Sequence, residues 1–480
     1  MDKTAHLPPL SIAVQAHAGE IGSLPDIDPS KLIIQPAATL KPVPAAETLI
    51  FGQTMTDHML EMDFDPESGW SAPVIKPYAA LTLEPCSSIF HYTPALFEGM
   101  KAFVGPDGKA RLFRPNLNMQ RMARSTDRAA LPDFDAHALL ELIKELVRVE
   151  KRWIPTRPGY SLYIRPTLIG TRASIGVSAS THAKLFVIVT PSGPYWPTGF
   201  KPLALFAETD SVRSWPGGTG AYKLGINYTP TFRPQREAAK LGYQQILWIL
   251  KGEKDEAGNY EEIVTEAGAM NFFAVVRRTD GALDLITPPL DGTILPGVTR
   301  TSILDLCAHI NESSSPLRQF ITFPPLVSSP AITDTATAEK EKAAAALVSP
   351  PPSTRSSPSS STPVLPPTEV PEPSSSAAPS ELAQLHPREA KITIADLERW
   401  AASGALLEAF GSGTAVVIAP VKRIGIYRPK GASANEEREV RDIVLPEYEG
   451  GLGPVAGVMY RSLAAVYEGR AQVGGWSVEC

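Results

Sequence analysis

The apolar residues of this chain follow two rhythms. In DAHALLELIKELVRVEKRW (residues 135–153), Leu139, Leu140, Ile143, Leu146, Val147 and Val149 mostly recur at helical spacing, which predicts an amphipathic helix. A second helix is expected from Asn116, just after Pro115, carrying Met119, Arg121 and Met122. Runs rich in β-branched and aromatic residues, bounded by Gly or Pro, predict strands at 161–171, 183–193, 244–250, 271–278 and 414–427. Helical patterns return at 299–310, 393–410 and 453–470. This mixed order predicts an α/β (α+β) fold of two lobes: a smaller one over 46–195, a connecting loop at 196–202 and a larger one over 203–480. Residues 1–45 read as a poorly ordered extension.

Composition interrupts this picture at one place. The chain has 47 prolines, nearly twice the usual share of about 5%. Residues 328–387 hold 12 of them, with 13 serines and neither glycine nor an aromatic residue, and so cannot bury enough apolar surface to offset their ordering entropy. The stretch is expected to be a disordered insert in a surface loop of the larger lobe, where closure entropy grows only slowly with length.

The remainder has a globular composition, 43% hydrophobic and 20% charged. A net charge of −6 offers no basic footprint for nucleic acid and turns attention to small metabolites. No apolar run approaches the ~20 residues of a membrane span. Cys86, Cys307 and Cys480 are far apart, which predicts neither a disulfide framework nor a thiolate metal site. The opening residues fit neither a signal peptide nor an Arg-rich presequence, so a cytoplasmic protein is expected.

Several chemistries lack their signatures. The chain contains no GxSxG, no HExxH and no closely spaced histidine pair, and WPGGTGAYKLG lacks the GK[ST] ending of a phosphate loop. Lys223, between a glycine-rich turn and Tyr228, stands where desolvation would lower an amine pKa and favour Schiff-base chemistry; a solvated surface lysine is the plain alternative. Glu266 precedes an apolar strand, as a buried partner for a cation or as a turn carboxylate. LPGVTRTSILDL leads straight into a helix whose amides suit a phosphate, or into an ordinarily capped helix.

Taken together, HYTPALFEGMKAF (91–103), RLFRPNLNMQRM (111–122), SLYIRPT (161–167), GGTGAYKLGINY (217–228), TEAGAMN (265–271), PPLDGTILPGVTR (288–300) and FGSGTA (410–415) resemble a branched-chain amino acid aminotransferase of fold type IV. The resemblance runs in order from about Ile50 to Ser477, outside the Pro/Ser-rich insert. It implies a pyridoxal 5′-phosphate (PLP) enzyme with the cofactor between its lobes, moving the amino group of Leu, Ile or Val to 2-oxoglutarate.

By that resemblance Lys223 is the catalytic residue joined to the cofactor aldehyde, Glu266 meets the pyridine nitrogen and Tyr228 meets the phenolic oxygen. Arg121, the turn Gly297-Val298-Thr299 and Thr414 would hold the phosphate. Tyr92, Phe97, Tyr163, Arg165, Thr414 and Ala415 would contact substrate, with Tyr92 reaching a neighbouring subunit's site in a homodimer. No metal is implied. The chain departs from its relatives at Ile226, where many have a small residue, and at Ala269, where animal members carry threonine. Val416 and Ala419 replace the CxxC of some members. A D-amino acid aminotransferase, an aminodeoxychorismate-type lyase, a silent PLP-binding scaffold and a specialised aminotransferase serving a secondary pathway remain as rivals on sequence alone.

Overall fold

The first helix-forming rhythm defines the first layer. In the computed structural model, which describes residues 24–196, 198–256, 258–312, 317, 385–429 and 438–480, the 135–153 pattern folds as a helix over Ala136–Val149. The Asp135 carboxylate caps it, accepting from the amides of His137 and Ala138 at 2.8 and 3.0 Å. The second expected helix spans Pro115–Arg128, with proline at its first position.

In chain order this half comprises β1 (Ile33–Ile34), β2 (His58–Asp65), β3 (Gly69–Trp70), β4 (Val74–Pro77), α1 (Ser88–Tyr92), β5 (Ala95–Phe97), β6 (Met100–Val104) and β7 (Ala110–Phe113). It continues with α2 (Pro115–Arg128), α3 (Ala136–Val149), β8 (Ser161–Gly170) and β9 (Ala183–Ser192). The sheet order is β1-β4-β2-β9-β8-β6-β7, with β3 on β2 and β5 on β8. One face packs on α2 and α3 through Leu60, Met100, Leu162, Ile164, Met122, Leu139, Ile143 and Leu146, all buried. The other face carries Tyr163 and Arg165, and strand alternation puts Lys101, paired with Tyr163 in register, on that same face.

The chain then crosses through residues 193–202 to β10 (Leu203–Glu208), α4 (Phe232–Lys240), β11 (Gln245–Lys254), β12 (Tyr260–Ala267), β13 (Met270–Arg277), β14 (Leu283–Thr287) and α5 (Val298–Asn311). Next come β15 (Leu385–Glu389), α6 (Ile394–Ala402), β16 (Leu406–Gly413), β17 (Val417–Pro429), β18 (Arg438–Val444) and α7 (Pro454–Tyr467). Because β12 pairs with both β11 and β13, six strands close in a ring, β10-β11-β12-β13-β16-β17. Phe272 and Ala274 join one core with Leu205, Leu247 and α6, while the alternating Phe273 and Val275 pack on α5 and α7. That alternation holds α5, and the turn before it, against the ring.

Four expectations are corrected. Residues 24–45 are not a loose extension: Ile27 is buried, Ile33 and Ile34 pair with Val74 and Ile75, and the Ala37 amide donates to His58 Nε2. Residues 1–23 lie outside the described residues. The larger lobe does not keep the whole C-terminal part, because β19 (Ser477–Glu479) returns to pair with β7 in the first sheet. The helix expected over 393–410 stops at Ala402. There Gly404, at φ +69°, lets the Gly404 and Ala405 amides bond back to Ala401 and Trp400, and the chain turns into β16. Of the 328–387 insert, residues 328–384 lie outside the described residues, but Leu385–Pro387 belong to β15, paired in parallel with β14.

Glu408 on β16 anchors α7. Its buried carboxylate accepts from the amides of Val455 and Ala456 at 2.8 and 2.9 Å, at the N-terminal end of the helix. Burial nevertheless pushes its pKa up to about 7, against those two hydrogen bonds. Between about 4.5 and 7 the unfolded chain therefore gives up this proton while the folded protein keeps it, so folding stability drops as pH rises through that window. Relative to Glu408→Gln, the wild type is expected to lose on the order of 3 kcal/mol across it, measured as a pH-dependent difference in chemical unfolding.

Candidate active site

A charged residue in an otherwise apolar run needs a partner once that run is buried. Glu98 closes the run ALFE after β5, is wholly buried, and receives Arg121 Nε and Nη2 from α2 at 2.7 and 2.8 Å. Asn118 Nδ2, one turn earlier on that helix, adds a third donor at 2.8 Å. Burial alone would raise the Glu98 pKa, but the charge and hydrogen bonds of Arg121, then the charge of Lys223, hold it below its ordinary value. Arg121 Nη1 also donates to the Pro296 carbonyl at 3.0 Å, which places the guanidinium beside the turn into α5. With three of its five N–H bonds so engaged, about two are left for an anion.

That turn suits such a ligand. No side chain caps α5, whose N-cap is Gly297, and a Cβ at Gly297 would stand 2.1 Å from Asn271 Oδ1. Val298 and Thr299 are buried in the first turn. Ser412 Oγ, on β16 opposite Asn271, is buried without a hydrogen-bond partner.

Lys223 reaches the same region from the glycine-rich segment. Its amide donates to Ser125 Oγ at 3.0 Å, and that hydroxyl donates to the Arg121 carbonyl at 2.9 Å. Its carbonyl accepts from the Phe97 amide at 3.2 Å, fastening the segment along β5. The half-buried amine lies 3.3 Å from the Tyr228 hydroxyl and 5.0 Å from the Phe97 ring centre. Gly220 lets the preceding turn pass the Thr293 carbonyl, which a Cβ would meet at 2.1 Å.

Glu266, next to the last residue of β12, has only 2% of its surface exposed. Its Oε1 accepts from the Leu295 amide at 3.2 Å, while Oε2 faces Arg213 Nη1 as a charge pair in which neither atom finds hydrogen-bond geometry. Burial raises its pKa, and the charges of Arg213 and Lys223 only partly oppose that. A buried carboxylate at this place suits a protonated ring nitrogen. Together with Arg121, the α5 turn and the Lys223 amine, it gives each part of pyridoxal phosphate (phosphate, aldehyde and ring) a matching group in this chain.

Phe97, Tyr163 and Arg165 form an aromatic wall over this group. The Arg165 guanidinium lies 4.7 Å from the Phe97 ring centre and bonds the Tyr163 hydroxyl at 3.1 Å, and Phe97 meets Tyr228 at 5.1 Å. Thr414 and Ala415 sit half-buried in the turn between β16 and β17, so the strand expected from 414 begins only at Val417. Ala415 is tied to the wall through Lys101, whose Nζ donates to its carbonyl at 2.8 Å. Tyr92 is not part of the cluster: it is exposed on α1 and its hydroxyl donates to the Ile175 carbonyl. Ile226 is 51% exposed, and Ala269 lies exposed in the β12–β13 turn.

Sequence reasoning missed Glu98, Ser125, Arg213, Asn271 and Lys101. Glu98 and Lys101 had a signal, as charges inside apolar strand residues, and Ser125 shares a helix face with Arg121 at i, i+4. Arg213 lies in an irregular segment with no pattern to mark it.

The Glu98 carboxylate contributes stability above pH 4.5 that is lost only as pH falls through its depressed folded value. Glu98→Gln is expected to loosen Arg121 and weaken PLP binding to the apoprotein about tenfold, measured by fluorescence titration; unchanged affinity would show that Arg121 does not need this partner.

Comparison with known proteins points to the same cofactor class. The amino-transferase class IV family model matches residues 95–321. The branched-chain-amino-acid aminotransferase of Monosiga brevicollis is 50% identical over 303 residues, 63% of this chain and 76% of that protein. The cytosolic branched-chain-amino-acid aminotransferase of Saccharomyces cerevisiae is 38% identical over 457 residues, 95% of this chain and 98% of that protein. The crystal structure of the branched-chain amino acid aminotransferase from Thermobaculum terrenum, in its PLP (holo) form, shares the fold. Its TM-score is 0.53 at 18% identity, over 88% of this chain and 98% of that one. With a cofactor-shaped set of groups on that fold, and a relative this similar across nearly its whole length, the chain belongs to the branched-chain-amino-acid aminotransferase family of PLP-dependent enzymes.

Proposed function

We propose that the protein transfers the amino group of leucine, isoleucine or valine to 2-oxoglutarate in two half-reactions at one site, giving branched 2-oxo acids and glutamate. The observation that carries this reading is the Lys223 amine, set between Phe97 and Tyr228 and within the electrostatic reach of both Glu98 and Glu266. When bound, PLP supplies an aldehyde that receives the amino group and a ring that takes up the electron pair released at the substrate Cα.

The chain's residues do the rest. Arg121 and the first turn of α5, with Val298 and Thr299, bind the phosphate, with Thr414 as a further donor. The ionised Glu266 carboxylate holds a proton at the ring nitrogen, and the neighbouring charges of Arg213 and Lys223 favour that ionised form against the burial that raises its pKa. The Tyr228 hydroxyl orients the Lys223 amine, and Lys223 moves the proton to and from the substrate Cα. Phe97 and Tyr163 give an apolar branched side chain its wall, while Arg165 and the Tyr163 hydroxyl offer polar tips to the second carboxylate of glutamate.

A homodimer forms part of this proposal. Phe90, Tyr92, Ile175 and Val177 leave apolar surface exposed along α1 and the adjoining 173–177 loop, which are linked by the Tyr92 hydroxyl. Tyr92, outside its own cluster and exposed, would face a partner's site from this surface. Cytoplasmic residence suits three unpaired cysteines, and relatives carry both cytosolic and mitochondrial names. No helix among the described residues is long and apolar enough to cross a membrane.

Purified holoenzyme is expected to lose its visible lysine-bound cofactor absorption on adding L-leucine and regain it with 2-oxoglutarate. Lys223→Ala should abolish that absorption and lower turnover by about 1,000-fold or more. A response to D-alanine alone would instead favour a D-amino acid aminotransferase. Sedimentation should find a dimer that Val177→Asp weakens; a fully active monomer would exclude a shared site.

A further inference from the structure

The turn between β16 and β17 is held in a costly shape. Val417, a β-branched residue, sits at φ +63°, and the Ile418 amide bonds the Val416 carbonyl at 2.8 Å, a γ-turn with positive φ at its centre. Such a conformation persists only where surrounding contacts impose it. Lys101 supplies one from across the gap between the two sheets: it projects from β6, opposite Tyr163, and its Nζ donates to the Ala415 carbonyl at 2.8 Å. Lys101 has no salt bridge to a carboxylate among the described residues, and burial brings its pKa down to about 8. An amine desolvated without a counter-ion is an expensive way to reach one carbonyl unless that carbonyl has to be held.

We infer that Lys101 is a positioning residue for substrate recognition, fixing the Thr414–Val417 turn against the aromatic wall of Phe97, Tyr163 and Arg165. Lys101 acts through the turn: its amine bonds Ala415, whereas the Lys223 amine bonds Tyr228 and Arg121 bonds Glu98. The inference rests on the proposed function in taking this turn as a substrate contact. Both half-reactions then need the latch, because both amino acid and oxo acid enter against the same turn.

The test uses holoenzyme of Lys101→Met and Lys101→Arg. In the methionine variant, KM for L-leucine and for 2-oxoglutarate should each rise about tenfold, with kcat within about threefold and the visible cofactor absorption unchanged. The arginine variant, which keeps a charged donor, should stay within about threefold of wild type on both. Val417→Gly removes the backbone penalty, so adding it to Lys101→Met should shrink the KM rise by half or more. Unchanged KM values in Lys101→Met, an altered cofactor spectrum, or a penalty undiminished by Val417→Gly would each overturn the inference. If Lys101→Met does not accumulate, the arginine and double variants decide it by the same limits. Absence of leucine turnover in the wild type would instead defeat the proposed function, and is seen before any variant is made.

Discussion

The buried ion pair between Glu98 and Arg121 is the constraint around which the site is assembled. A carboxylate with no exposed surface is tolerable only when its oxygens are saturated, and here Arg121 and Asn118 both reach it from α2. Satisfying Glu98 therefore fixes where α2 lies along β5. The same guanidinium then extends to the Pro296 carbonyl, joining the first sheet to the turn that opens α5 in the second. One desolvated pair thus sets the distance between the turn into α5 and the strand that carries Phe97.

Lys223 depends on that arrangement through its backbone rather than its amine. Ser125, one turn beyond Arg121 on α2, accepts from its amide, and the Phe97 amide donates to its carbonyl. Both peptide groups of the lysine are held by neighbours of the ion pair, while its amine is left to Tyr228 and the ring faces. The negative charges of Glu98 and Glu266 both act on Lys223, from opposite sheets. Two like charges kept on opposite sheets act on one amine without meeting each other.

The ring of six strands provides the rigidity on the other side. Closing β12 onto β13 places Glu266, Asn271 and Ser412 at adjoining positions near one end. The price of bringing the β16–β17 turn into the site is a strained valine, and the latch from Lys101 lies where that strain is held.

Local pattern alone was enough for α2, α3, α5, α7 and for β8, β9, β11, β13 and β17, since a 3.6-residue or two-residue apolar rhythm needs no knowledge of partners. It failed over 393–410, where the residues of β16 match a helical pattern and only pairing with β13 and the positive φ of Gly404 decide for a strand. It failed again for residues 24–45 and β19, whose order comes from edges supplied by distant parts of the chain. Lys223 and Glu266 were candidates from residue type and setting, and Arg121 and Tyr228 from the family resemblance of ordered motifs; the structure brings the four into one region. Glu98, Ser125, Arg213 and Lys101 were decided by the tertiary structure: desolvation and hydrogen-bond saturation are properties of neighbours in space, and a sequence carries the groups without their distances.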